Sequence, residues 1–261
     1  MKNTLHKIIL LLIIGFSSIG YSQNTAVDSL KRVLKVVKID TAKVNLYNNL
    51  ADKFKETNPD STAFYAQKAT VLSKKIGYGF GLANSYINKG NSNIILGNYK
   101  NALTDFRQAQ ISYQSLLEDD SDNKQLKNGL ARAYASSGVV FSEENNYYMA
   151  LENYQKALKL YLEIDQKNSI SKAYNNIGIV YKSQGNNSKA LEYLKKALQI
   201  QEEIGEQTVA VTLTNIGVIY FENGNNKEAL NYYKKALNYF GKIDNKRGFA
   251  LLTNYLGDFY K

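Results

Sequence analysis

Asn175-Asn176-Ile177-Gly178-Ile179-Val180-Tyr181 is followed by Gly185-Asn186, then by Ala190-Leu191, Leu194 and Ala197-Leu198. The same order returns as Asn215-Ile216-Gly217, Tyr220, Gly224-Asn225, Ala229-Leu230, Tyr233 and Ala236-Leu237. Working outward from these two stretches, the small residue recurs at Ala51, Gly90, Gly138, Gly178, Gly217 and Gly257, at intervals of 39, 48, 40, 39 and 40 residues. A period of that size means a stacked array in which each unit buries its apolar face on a neighbour. Each unit reads as a helix, a turn and a second helix.

The recurring positions have physical roles. A small residue late in the first helix lets the second helix cross closely, and a larger side chain there would overpack the contact by about 1–3 kcal/mol. Three residues on stands an aromatic: Phe54, Phe141, Tyr181, Tyr220 and Tyr260, with Asn93 in the second copy. The second helix carries Ala102, Ala150, Ala190 and Ala229, with Thr62 in the first copy. Seven residues later come Ala69, Ala109, Ala157, Ala197 and Ala236, so each pair of small residues lies on one helix face. Gly97, Gly185 and Gly224, with Asn145 in the third copy, sit where the chain must enter the left-handed region. Asn98, Asn186 and Asn225 follow as caps for the next helix. Pro59, the only proline, falls between helices.

These residues resemble the tetratricopeptide repeat, over roughly residues 41–261. The resemblance implies an all-α fold: a right-handed superhelical solenoid of antiparallel helix pairs, with repeats at about 41–77, 78–122, 123–165, 166–205 and 206–244 and a half repeat at 245–261. A repeat near 40 residues is similar to the long-helix variety seen in peptide-binding adaptors and bacterial regulators. It also implies a concave groove lined by the first helices. Two residues before the small anchor lie Asn49, Asn88, Ser136, Asn176, Asn215 and Tyr255, a ladder whose amides would clasp the backbone of a protein or extended peptide. One turn earlier, Asn45, Asn84, Arg132 and Lys172 would meet acidic side chains or a terminal carboxylate.

Residues 1–22 read as a secretory signal peptide: Lys2 and Lys7 precede an apolar run from Ile8 to Phe16, and Gly20-Tyr21-Ser22 offers small residues for cleavage. That run has 9 residues, against the roughly 20 that span a bilayer. The expectation is an exported, periplasmic or extracytoplasmic protein. Residues 23–40 would form an N-terminal capping helix, with Leu30, Val33, Leu34 and Val37 on one face and Asp40-Thr41 as the start signal of the array. With 0 cysteines there are no disulfides, thiolate metal sites or lipid-attachment residue, and the 1 histidine, His6, lies in the signal. No catalytic residue, metal ligand or cofactor site stands out, so the sequence predicts a chain that is not an enzyme. The formal charge of +10 falls to +8 without Lys2 and Lys7, with acids interspersed. It reads as a solvated face rather than a nucleic-acid site.

The interval of 48 places its excess around Glu118-Asp119-Asp120-Ser121-Asp122, read as an extended helix end with an acidic loop rather than a calcium loop. The sixth unit stops after its first helix, which predicts further residues downstream or self-association through the uncovered half repeat. The opening resembles the exported tetratricopeptide sensor regions of bacterial signalling proteins. Membrane attachment would then come only from a downstream segment. A freestanding periplasmic scaffold for an assembly or secretion complex is the leading alternative, and a carbohydrate- or surface-binding module the third.

Overall fold

The structure, a computed structural model, describes residues 19–55, 57–205, 208–242 and 246–259. Twelve helices and no strand occur among them. They are α1 (Ile19–Val36), α2 (Asp40–Phe54), α3 (Pro59–Ile76), α4 (Gly79–Ile95), α5 (Tyr99–Asp119), α6 (Lys124–Glu143), α7 (Tyr147–Glu163), α8 (Lys167–Ser183), α9 (Asn187–Ile204), α10 (Val209–Glu222), α11 (Asn226–Lys242) and α12 (Lys246–Phe259). From α2 to α11 they form five antiparallel pairs, with α12 as a sixth first helix. The long interval is accounted for by α5 and α6, of 21 and 20 residues.

Four of the five pairs close through a left-handed residue. Within pairs these are Gly97, Asn145, Gly185 and Gly224, with φ of 74°, 57°, 76° and 76°. Between pairs Gly77, Asp165 and Gly205 do the same at 67°, 52° and 66°. Asn186 and Asn146 accept hydrogen bonds from the backbone N–H groups of Lys189 and Met149, and Asn58 does so from Ser61. Asn98 makes no such cap bond, contrary to its position in the pattern. Nor does Asp40 cap α2: the flanking residue is Ile39, and Asp40 lies in the first turn, paired with Lys43.

The small anchors decide how a pair packs. A methyl group at Gly138 would lie 2.8 Å from the Tyr154 ring, one at Gly178 2.8 Å from Leu194, and one at Gly217 2.6 Å from Tyr233. These are one column on the second helix, four residues after its first alanine. In the first unit Ala51 carries that methyl already, and the matching residue is Ala66; both are fully buried. The seam alanines Ala69, Ala109, Ala157, Ala197 and Ala236 are all at 0% exposure. The aromatic that follows the anchor stacks on the second helix in three units: Phe54 on Tyr65, Tyr181 on Tyr193 and Tyr220 on Tyr232, with ring centroids 5.9, 5.5 and 5.4 Å apart. The second unit replaces that stack by a polar set, in which Asn93 donates to Asp105 at 2.9 Å and Lys89 lies 3.5 Å from the same carboxylate.

At the N-terminal end α1 packs on α2, burying Val27 and half-burying Leu30, Leu34 and Val37. Val33, placed on that face from the sequence, is 47% exposed, because the contact face of α1 runs through Val27 and Leu30 instead. Residues 1–18 of the expected signal peptide lie outside the described residues, and α1 runs without interruption across Ser22 and Gln23. No helix among the described residues is long and apolar enough to cross a membrane. First helices touch one another directly, α2 with α4 and α4 with α6, while second helices make no comparable contact among themselves within the described residues. The first helices therefore form the inner layer of the curve.

Candidate functional site

Three columns of the inner layer follow the i, i+4, i+7 spacing of one helix face. The first holds Asn45, Asn84, Arg132, Lys172 and Val211; the second Asn49, Asn88, Ser136, Asn176 and Asn215; the third Asp52, Asn91, Val139, Ile179 and Val218. Along the groove the chemistry grades from five amides and the Asp52 carboxylate in the first two units, through two cations in the middle, to aliphatic side chains in the third column of the later units. The described residues contain no group of three histidine, cysteine, aspartate or glutamate side chains able to hold a metal ion.

The residues named from the sequence are not equivalent. Asn49 and Lys172 are exposed, and Asn176 is half-buried. Asn45 accepts a hydrogen bond from the Tyr78 hydroxyl at 3.3 Å, and Asn84 turns back to donate to the Phe80 carbonyl at 3.2 Å. Asn88 is only 3% exposed: its amide donates to the backbone and side-chain oxygens of Asn48, at 3.1 and 3.2 Å, and its own oxygen has no hydrogen-bond partner among the described residues. The donor of Asn88 thus joins α4 to α2 instead of standing open to the groove. Asn215 is half-buried with its Nδ2 enclosed and unpartnered among the described residues. The Tyr255 side chain lies outside the described residues. Arg132 reaches across α4 to Asp52 on α2, 3.7 Å away.

Sequence reasoning missed the residues behind the ladder. Asn48 donates to the Gly81 carbonyl at 2.9 Å, and Asn175 accepts from the Thr212 hydroxyl at 3.3 Å. Both stand three residues before the small anchor, so a signal existed: asparagine at one repeat position facing the next first helix. Around Arg132 the tyrosines Tyr113 and Tyr161 are buried where the second helices end. Burial raises both hydroxyls, that of Tyr161 to about 12, although the Arg132 charge acts to lower them. These phenols stay neutral at physiological pH; the Tyr161 hydroxyl bonds with Ser169, and that of Tyr113 is enclosed without a hydrogen-bond partner among the described residues.

The tetratricopeptide-repeat profile matches residues 129–203 and 169–242, and a second profile of the same repeat matches residues 83–110. With the repeat geometry above, the chain belongs to the tetratricopeptide-repeat family. No curated protein matches the sequence. Among solved structures, the apo form of RapI superposes with a TM-score of 0.71 at 19% identity, covering 84% of this chain and 78% of that one. A Rap protein complexed with competence and sporulation factor gives 0.70 at 15%, over 86% of this chain and 61% of that one. A signal-transduction ATPase with a tetratricopeptide-repeat sensor, from Pyrococcus horikoshii, gives 0.67 at 19%, over 90% of this chain and 36% of that one. At these identities the likeness establishes a helical-repeat solenoid.

Proposed function

We propose that the inner layer binds an extended protein or peptide segment, and that the chain is the sensory part of an exported bacterial signalling receptor. The observation that carries the binding reading is the graded groove: exposed Asn49 on α2, exposed Lys172 and half-buried Asn176 on α8, at groove-facing repeat positions, with the half-buried aliphatics Val139, Ile179 and Val218 on α6, α8 and α10. Amides match a peptide backbone, which offers a donor and an acceptor per residue. Lys172 favours a carboxylate, and the aliphatic row favours apolar side chains. Such a surface suits a peptide carrying both. The Rap complex with competence and sporulation factor and the sensor of the Pyrococcus horikoshii ATPase support the same reading on the same architecture.

The reading is tested by selecting peptides from a random displayed library on residues 23–261, then re-testing the winners on Lys172→Gln with Asn176→Ala. Each lost hydrogen bond is worth about 0.5–1.5 kcal/mol net, so the pair should weaken binding about 5- to 150-fold. Peptides that bind both proteins equally would place binding elsewhere. The export proposal rests on the charged start and apolar run of residues 1–22, and fusing them to a reporter active only outside the cytoplasm tests it. An inactive fusion would remove the extracytoplasmic part of the reading and leave the binding part standing.

A further inference from the structure

In a stacked array each unit contacts its neighbours, so a bond from the third unit to the first is out of pattern. Arg132 and Asp52 form one: the guanidinium on α6 lies 3.7 Å from the carboxylate on α2, across α4. Both side chains are a little over one-third exposed, at 37% and 40%, so the pair lies at the groove surface rather than in the core. Among the three inner columns of the first five units, Asp52 is the one carboxylate, and Arg132 and Lys172 are the two cations. Among the described residues Lys172 carries no ion pair, whereas Arg132 is held by a group of its own chain. Asp52 is itself steadied by Lys55 at 2.9 Å.

We propose that Asp52 is an internal competitor for Arg132: it occupies the guanidinium in the empty groove, and a carboxylate of an acidic peptide takes its place. The inference deepens the groove reading above and rests on it. The chemistry is an exchange of like for like, since a guanidinium presents a planar fork that carboxylates of either origin satisfy. A ligand without a carboxylate at that point gains nothing by displacing Asp52, so the contact selects for acidic peptides. It also ties the first unit to the third. Displacement therefore changes the spacing of α2 and α6 as well as exposing Arg132.

Two measurements test this on residues 23–261. A fluorescein-labelled octaglutamate peptide is titrated against wild type, Asp52→Asn, Arg132→Gln and the double variant, with Asp119→Asn removing the same charge from an outer helix as control. Asp52→Asn should tighten binding about 2- to 5-fold, the range expected for an exposed ion pair, and Asp119→Asn should not. In the Arg132→Gln background the gain from Asp52→Asn should vanish. Equal gains with and without Arg132, or no binding of the peptide to wild type or Asp52→Asn, overturns the proposal. The second measurement needs no ligand. The chain has 0 cysteines, so Lys53→Cys and Lys124→Cys introduce unique spin labels on α2 and α6, and their distance distribution should widen in Asp52→Asn. An unchanged distribution together with unchanged affinity removes the internal contact while leaving the groove reading intact. Loss of library-selected peptides on Lys172→Gln with Asn176→Ala reports on that groove reading separately.

Discussion

At the residue scale the fold depends on matching a small side chain on one helix with a large one on the next. Gly217 stands against the Tyr233 ring, and Tyr233 is 2% exposed. Gly217→Ala should cost about 1–3 kcal/mol in urea unfolding, the usual cost of inserting a methyl into a packed contact. Tyr233→Ala should cost less in that background than in wild type, since Ala51 and Ala66 show that two small residues also fit together. Strictly additive costs would mean that no clash is there. Asp105 makes a different kind of test. Burial holds its carboxyl above the usual range, with Lys89 and Asn93 pulling it down incompletely. A carboxyl raised on folding binds its proton more tightly in the native state, so the stability it contributes is present at low pH and lost as pH rises through the raised value. Asp105→Asn removes that loss. Its unfolding midpoint relative to wild type should therefore climb between pH 4 and pH 7; a difference independent of pH would show that Lys89 fully compensates the burial.

At the element scale the helix ends carry the repeat length, and the turns show what the sequence could and could not disclose. Gly185 and Asn145 hold the same place at φ of 76° and 57°. An L side chain in the left-handed region costs roughly 1–2 kcal/mol, and Asn145 offsets part of it by accepting a hydrogen bond from the Tyr147 hydroxyl at 2.8 Å. Gly185→Ala should lower stability by about 1–2 kcal/mol, while Asn145→Gly should change it by under about 0.5 kcal/mol, because it relieves strain and loses that bond. Calorimetry of both variants checks the pair, and an Asn145→Gly loss as large as that of Gly185→Ala would make the hydrogen bond the controlling interaction. These positions were legible because turn chemistry is local, as were the anchors and seam alanines, which repeat at helical spacing. Asn93 was legible only as an exception. Its partner Asp105 sits on the other helix, at a position where three other units carry Tyr65, Tyr193 and Tyr232. Asn88 was misplaced for a related reason. Whether it faces the groove or Asn48 depends on how α4 is rotated against α2, and no spacing within one helix records that. The Arg132 contact with Asp52 joins units that are not neighbours, so a repeat-by-repeat reading passes over it.

At the scale of the whole molecule, stability in an array is a sum of unit and interface terms, so the weakest interface decides where cooperativity breaks. Between units, the end of each second helix meets the start of the next first helix at one repeated position. Tyr113 there lies over Gly129, Tyr161 beside Ser169, and Phe240 over Gly248. Between α9 and α10 the same position holds Gln201, 1% exposed with its Oε1 unpartnered, and Thr208, whose buried Oγ1 also makes no hydrogen bond among the described residues. A buried polar group without a partner costs about 1–3 kcal/mol. Three of the other junctions gain aromatic burial at this position, and the first holds Ser73, with one enclosed unpartnered hydroxyl among the described residues where the fourth has two such polar atoms. The fourth and fifth units should therefore separate first, with the amides of α10 and α11 exchanging at a lower opening free energy than those of α8 and α9. Gln201→Phe with Thr208→Gly copies the Phe240–Gly248 contact into the weak junction. It should bring α10 and α11 up to the protection of α8 and raise the unfolding midpoint, whereas Gln201→Phe alone should gain less because its ring meets the Thr208 side chain. If native-state exchange already shows α8 through α11 opening together in the wild type, the enclosed polar atoms are satisfied in solution and the junction is as strong as its neighbours.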